Sequence, residues 1–145
     1  MEVTARITLI DGLMFSGSYS YLQASGGDGL AEIRRPEHSG SVNVAYPFAE
    51  SRGLVNLGVI YNSEMQDFAF DAFTYAQSQV TLKEYTVVNL AAHYDVTETV
   101  RLFGRVENVL DEDYQEVFGF ETAPVAAYGR VKIRFGGEHE SAALK

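Results

Sequence analysis

The sequence contains no cysteine and no tryptophan. The first absence excludes disulfide frameworks, thiolate metal sites and cysteine nucleophiles together. Basic residues are scarce as well: 11 Lys and Arg stand against 20 Asp and Glu, a formal net charge of −9. Nucleic-acid binding in general needs a basic surface to displace counterions from phosphates, so no nucleic-acid partner is expected. No apolar run approaches the roughly 18 residues of a transmembrane helix. The opening Met1-Glu2-Val3-Thr4-Ala5-Arg6 lacks the basic start and apolar stretch of a signal peptide. What remains is a chain of 145 residues, 46% hydrophobic, long enough for one domain and too apolar to be disordered. A membrane-spanning β-structure passes all of these tests, because its signal is weak in each segment.

The dominant pattern is alternation with a period of two, the mark of strands with one apolar face. Val42, Val44, Tyr46 and Phe48 alternate with Ser41, Asn43, Ala45 and Pro47. Val55, Leu57, Val59 and Tyr61 do so with Asn56, Gly58, Ile60 and Asn62, and Val88, Leu90, Ala92 and Tyr94 with Val87, Asn89, Ala91 and His93. Val100, Leu102, Gly104 and Val106 oppose Arg101, Phe103, Arg105 and Glu107; Ala127, Gly129, Val131, Ile133 and Phe135 oppose Tyr128, Arg130, Lys132 and Arg134. No helical stripe of comparable length competes. The chain reads as all-β, with strands expected over 2–10, 13–24, 38–48, 53–63, 83–94, 99–107 and 126–135.

The connections alternate in length. Asp11-Gly12 is a tight hairpin signal, and 49–52 and 95–98 are short too. Those over 25–37, 64–82 and 108–125 are long and rich in Asp, Glu, Gly and Ser. An antiparallel up-and-down sheet therefore gathers its short turns at one end and its long loops at the other, as outer-membrane barrels do. Charge sorts in the same way. Among acidic residues only Glu2 and Glu107 fall within the expected strand interiors, with Glu84 at an end. Arg6, Arg101, Arg105, Arg130, Lys132 and Arg134 lie inside strands, all on the non-apolar face. That face cannot be the interior of a small soluble barrel, because unpaired buried charges cost several kcal/mol each. It fits either the outside of a soluble barrel or the wetted wall of a wide membrane one. Tyr19, Tyr21, Phe48, Tyr61, Tyr94 and Phe135, near strand ends, suit interfacial girdles and would suit an ordinary core as well.

Leu102-Phe103-Gly104-Arg105-Val106-Glu107-Asn108-Val109-Leu110-Asp111-Glu112-Asp113-Tyr114 resembles the penultimate strand and following loop of TonB-dependent outer-membrane receptors. Tyr85-Thr86-Val87-Val88-Asn89-Leu90 resembles the strand before it, and Tyr128-Gly129-Arg130-Val131-Lys132-Ile133-Arg134-Phe135 the terminal strand, which closes on an aromatic residue. Arg34-Arg35-Pro36-Glu37-His38-Ser39, entering a descending strand, is similar to the family too. The resemblance covers 2–135 and is most specific over 83–135.

It implies a transmembrane barrel of 22 antiparallel strands holding an N-terminal plug, of which this chain would supply about the last seven. Such receptors sit in the outer membrane of Gram-negative bacteria and import scarce nutrients such as ferric siderophores, vitamins or saccharides. The TonB complex drives them through a short motif, the TonB box, ahead of the plug; plug, motif and remaining strands are absent from 1–145. The implied partners are outer-membrane lipid, the missing plug and strands, the TonB complex only through that absent region, and the barrel-assembly machinery. Phe135 would be the terminal assembly signal, and the polar tail 136–145, read as a flexible extension, departs from the family pattern, in which the terminal aromatic usually ends the chain. In a complete receptor Arg101, Arg105, Arg130, Lys132 and Arg134 would face the lumen, to pair with Glu107 or acidic plug side chains or to attract an anionic ligand. Phe68, Phe70, Phe73 and Tyr75 would stand at the extracellular rim, to stack on a ligand or pack on neighbouring loops.

No catalytic set is legible, and no enzyme, cofactor or metal site is expected. His38, His93 and His139 are scattered, without zinc spacing. Gly26-Gly27-Asp28-Gly29 lacks the third glycine and the helix of a dinucleotide loop and reads as a loop tip. Asp111-Glu112-Asp113, Glu116 and Glu121 do not match an EF-hand and read as a solvated loop with one short helical turn, with Asn108 and Asp111 as turn and capping residues. The alternative is a free-standing soluble, lipocalin-like barrel binding a small apolar ligand. It would enclose the stripe that holds Val88, Leu102, Val131 and Ile133, whereas a receptor barrel would turn it to lipid.

Overall fold

The structure, a computed structural model, describes residues 1–23 and 32–135. The Gly26–Gly29 tip, His139 and the expected tail 136–145 lie outside the described residues. Seven strands form one antiparallel sheet: β1 (Glu2–Thr8), β2 (Met14–Tyr21), β3 (His38–Phe48), β4 (Gly53–Asn62), β7 (Tyr85–Asp95), β8 (Val100–Glu107) and β9 (Ala126–Ile133). They are ordered as they occur in the chain, save that β5 (Met65–Phe70) and β6 (Gln77–Leu82) pair separately as a hairpin between β4 and β7. That hairpin corrects the expectation of an irregular loop over 64–82, and it places a further acid, Asp67, inside a strand. Phe135 lies two residues beyond the end of β9 and is 89% exposed.

Register explains why the alternation matters. One row runs unbroken across all seven strands through Ile7, Phe15, Val44, Leu57, Leu90, Val106 and Ala127, every member apolar. The next row, on the opposite face, reads Thr8, Met14, Ala45, Asn56, Ala91, Arg105 and Tyr128. A slip of one residue in any strand would exchange the two sets, so the pattern fixes the pairing.

The apolar face is not covered. Leu102, Val131 and Ile133 are 43%, 58% and 50% exposed, so the enclosed core that the lipocalin-like alternative requires is not formed. The sheet is open, with β1 and β9 as its edges. Among the described residues the buried apolar side chains are Met65, Leu82, Tyr85 and Val87, gathered at the long-loop end around the base of the hairpin.

The short connections are shaped by backbone. Between β1 and β2, Asp11 and Gly12 take left-handed φ of 61° and 76°, and the Leu9 amide donates to the Leu13 carbonyl at 2.7 Å. A side chain on Gly12 would also meet Pro47 at 2.9 Å, so glycine is required twice over. Near the next short turn, Phe48 and Tyr94 flank Gly53 in register and stack with ring centres 6.0 Å apart. Tyr19 and Tyr61 flank Gly40 in the same way near the other end of the strands. Both aromatic sets lie on the apolar face, at its two margins.

Candidate functional site

The polar face of β7, β8 and β9 brings the five expected basic residues together. Arg101 lies opposite Lys132, Phe103 opposite Arg130 and Arg105 opposite Tyr128. The Arg134 amide continues the ladder by donating to the Thr99 carbonyl at 2.8 Å. Three of the cations have partners on the same wall. Arg101 holds Asp95 through two parallel hydrogen bonds, a link between β7 and β8. The Arg105 guanidinium stacks 4.4 Å from the Tyr128 ring centre and lies 3.2 Å from the Glu107 carboxylate. Arg130 stacks on Phe103 at 4.7 Å, and Phe103 in turn lies 5.9 Å from the His93 ring. Such stacking is worth about 0.5–1 kcal/mol when exposed and more as water is excluded. A hollow of about 610 Å³ opens on this face, lined by Asn56, Ala91, His93, Phe103, Arg105 and Arg130. Its chemistry suits carboxylates: two guanidinium groups fixed on aromatic surfaces, with the Asn56 side chain in the same lining.

The second candidate is the hairpin β5–β6, at the long-loop end. Phe68 and Phe70 lie on one of its faces, with Phe73 and Tyr75 in its tip. Phe73 is 95% exposed, and Tyr75 meets Phe70 edge-on at 6.2 Å. Asp71 shapes the tip by accepting from the Phe73 and Thr74 amides at 2.8 and 3.1 Å. Those two amides hold its carboxyl below the ordinary carboxylate range.

Sequence reasoning missed what holds these loops. Asp67, on the other face of β5, is fully buried. It accepts from the amides of Phe68 and Phe118, both at 2.8 Å, and from Arg34 Nε at 3.0 Å. Burial alone would raise its pKa, but the Phe118 and Phe68 amides and the Arg34 guanidinium outweigh that and lower it. One carboxylate thus joins all three long connections. Nearby, the Tyr85 hydroxyl donates to Glu116 at 3.1 Å and accepts from Asn62 at 2.8 Å, while its ring stacks on Tyr114 at 4.3 Å.

Asn108 and Asp111 are the turn residues their chemistry suggested. Asn108 is buried, accepts from the Glu112 amide at 2.9 Å and donates to the Glu112 and Ala123 carbonyls. Asp111 accepts from the Val125 amide, fourteen residues on, at 2.9 Å. The helical turn expected here is instead a β-turn, closed by the Asp111 amide on the Asn108 carbonyl. Among the described residues, no group of three or more His, Asp or Glu is placed to hold a metal ion. His38 is bonded to the Tyr19 hydroxyl at 2.7 Å, far along the sheet from His93.

An open antiparallel sheet with an apolar exposed face, a polar opposite face that carries the strand cations, and sorted loops is a segment of an outer-membrane-type β-barrel. Residues 1–109 match the family model "TonB dependent receptor-like, beta-barrel", and the chain belongs to the TonB-dependent receptor family. The Vitamin B12 transporter BtuB of Photobacterium profundum is 36% identical over 99 residues, 67% of this chain and 15% of that protein. Its namesake from Vibrio cholerae serotype O1 is 28% identical over 102 residues, 70% of this chain and 16% of that protein. The chain thus spans about a sixth of the length of these curated relatives. In solved structures, the ferripyoverdine receptor of the outer membrane of Pseudomonas aeruginosa matches with a TM-score of 0.77 at 18% identity, over 91% of this chain and 19% of that one. A chain in the structure of the FpvAI–pyocin S2 complex matches with a TM-score of 0.78, also at 18% identity, over 91% of this chain and 18% of that one. At that identity the likeness is one of fold. The relatives are named as transporters and receptors, not as enzymes.

Proposed function

We propose that this chain is the C-terminal part of the barrel of a TonB-dependent transporter in the outer membrane of a Gram-negative bacterium, importing a scarce nutrient such as a ferric siderophore, a vitamin or a saccharide. The observation that carries the reading is the continuous register of one apolar and one mainly polar face across seven strands, with the charges of the second face concentrated on β7, β8 and β9. Lipid would cover the first face, and a plug domain and water would fill the space against the second. The remaining strands would pair with the edges β1 and β9, and Phe135 would serve the barrel-assembly machinery. The TonB complex would act through the plug rather than through these residues. Residues 136–145 would form a polar tail beyond the barrel.

On this reading the basic wall has two uses, and the pairing of Arg101 with Asp95 and of Arg105 with Glu107 favours the structural one. Arg130, stacked on Phe103, is then the cation best placed to receive an acidic plug side chain. The outer rim is carried by Phe68, Phe70, Phe73 and Tyr75, whose exposed rings suit stacking on a cargo with flat or apolar parts. The test is made in the intact receptor that contains residues 1–145. Arg105→Glu with Arg130→Glu should loosen the plug, seen as increased passive permeability, while cargo affinity is kept; lost affinity with a tight plug would favour the ligand use. Cyanocobalamin and a ferric siderophore are the probes of cargo class. Uptake of neither, with the protein absent from the outer-membrane fraction, would overturn the transport reading.

A further inference from the structure

The hairpin β5–β6 forms a two-stranded sheet of its own, hydrogen-bonded to none of the other seven strands through a ladder. An isolated hairpin of this length is marginal in water, so something else must orient it. Its base is held by the buried side chains of Met65 and Leu82, which sit opposite each other. Above the base, the Arg34 amide donates to the Gln66 carbonyl at 2.7 Å, and Asp67 binds the Arg34 side chain and the Phe118 amide. Between Asp67 and Phe70 the strand rises about 10 Å, at roughly 3.4 Å per residue. Among the described residues the tip therefore projects past its last lateral tie, and small rotations at Asp67 are magnified at Phe73. The charge matters as much as the shape. Among the described residues the three groups aimed at Asp67 are all donors, so an amide of the same size would turn an N–H toward one of them.

We propose that Asp67 is the positioning residue of the outer rim: a buried carboxylate that locks the hairpin against the loops carrying Arg34 and Phe118 and so fixes where Phe70, Phe73 and Tyr75 stand over the barrel mouth. This rests on the reading of that rim as the cargo-contacting edge. The test is a distance measurement between spin labels at Ser78→Cys and Glu121→Cys in the intact receptor in lipid vesicles; residues 1–145 contribute no competing cysteine. With Asp67 in place the distribution is single and narrow. Asp67→Asn broadens it, and amide exchange at Phe118 rises about 10- to 100-fold, the range expected for loss of a hydrogen bond to a charged group. Arg34→Gln, at a half-exposed site, gives an intermediate width. A distribution as narrow in Asp67→Asn as in the parent overturns the proposal. Should that variant fail to reach the membrane, an unchanged width in Arg34→Gln overturns it instead. The rim reading fails separately, if Phe73→Ala with Tyr75→Ala leaves uptake of cyanocobalamin and of a ferric siderophore unchanged while the distances still respond to Asp67.

Discussion

At the scale of single residues, Asp67 shows how a charge becomes part of a fold. A buried carboxylate is tolerable only when its lone pairs are filled, and here two amides and a guanidinium fill them. Removing the charge while keeping the shape, as Asp67→Asn does, leaves donor facing donor at a cost of about 2 kcal/mol to the loop assembly. The pH dependence follows from the lowered pKa. Because the folded value lies below the unfolded one, the contribution is complete above the ordinary carboxylate pKa of about 3.9 and disappears as pH falls through the lower, folded value. Loop protection followed by hydrogen exchange should thus persist through mildly acidic pH and collapse only below that range. In Asp67→Asn it should be weaker and lack this transition. A second prediction concerns Gly53. A Cβ there would run into the Phe48 ring, so Gly53→Ala must push that ring off Tyr94. The lost stack should cost about 1 kcal/mol in a urea titration of the membrane-embedded barrel.

At the scale of elements, the seven strands of the main sheet were legible in the sequence because each has one face of a single character. β4 shows it: Val55, Leu57, Val59 and Tyr61 go one way, Asn56, Gly58 and Asn62 the other. The hairpin β5–β6 was not legible. Its outer face holds Gln66, Phe68 and Phe70, and its inner face Met65, Asp67 and Ala69, so both are mixed and no period of two survives. Its inner face is held by one specific acid rather than by a stripe of apolar residues, and an isolated Asp in a loop-like stretch looks like any solvated one. The basic wall was visible for the opposite reason, since five cations within period-two strands stand out. Their partners Asp95 and Tyr128 were not, because cross-strand neighbours depend on register. The two faces make a sharp prediction. Leu57→Arg, near the middle of β4 on the apolar face, should destabilise the barrel in lipid by about 2–4 kcal/mol. Asn56→Arg, its neighbour on the opposite face beside the hollow, should cost less than about 1 kcal/mol. Equal costs in refolding titrations into vesicles would mean that lipid does not cover the Leu57 face.

At the scale of the whole molecule, the decisive quantity is the number of strands. In an antiparallel meander of seven, β1 and β9 run in the same direction. They cannot close on one another through the antiparallel ladder of such barrels, and bending the sheet does not change that. A second copy does not help: inserted the same way up, its edges run in the same direction, and an antiparallel seam would require one copy to be upside down, with its long loops on the wrong side. The complement must be an odd number of strands beginning and ending in the opposite direction. A barrel of 22 strands leaves 22 − 7 = 15, which meets that condition. Without it, β1 and β9 would present unpaired N–H and C=O groups to hydrocarbon, each costing several kcal/mol. Purified residues 1–145 added to a planar bilayer should therefore give no single, defined conductance level. Joined to the missing strands they should form a barrel that resists unfolding in detergent until heated. A steady, unitary conductance from the seven-stranded chain as a monomer would mean that its edges close in some other way, and the assignment of β1 and β9 as seams to the rest of a receptor would fall.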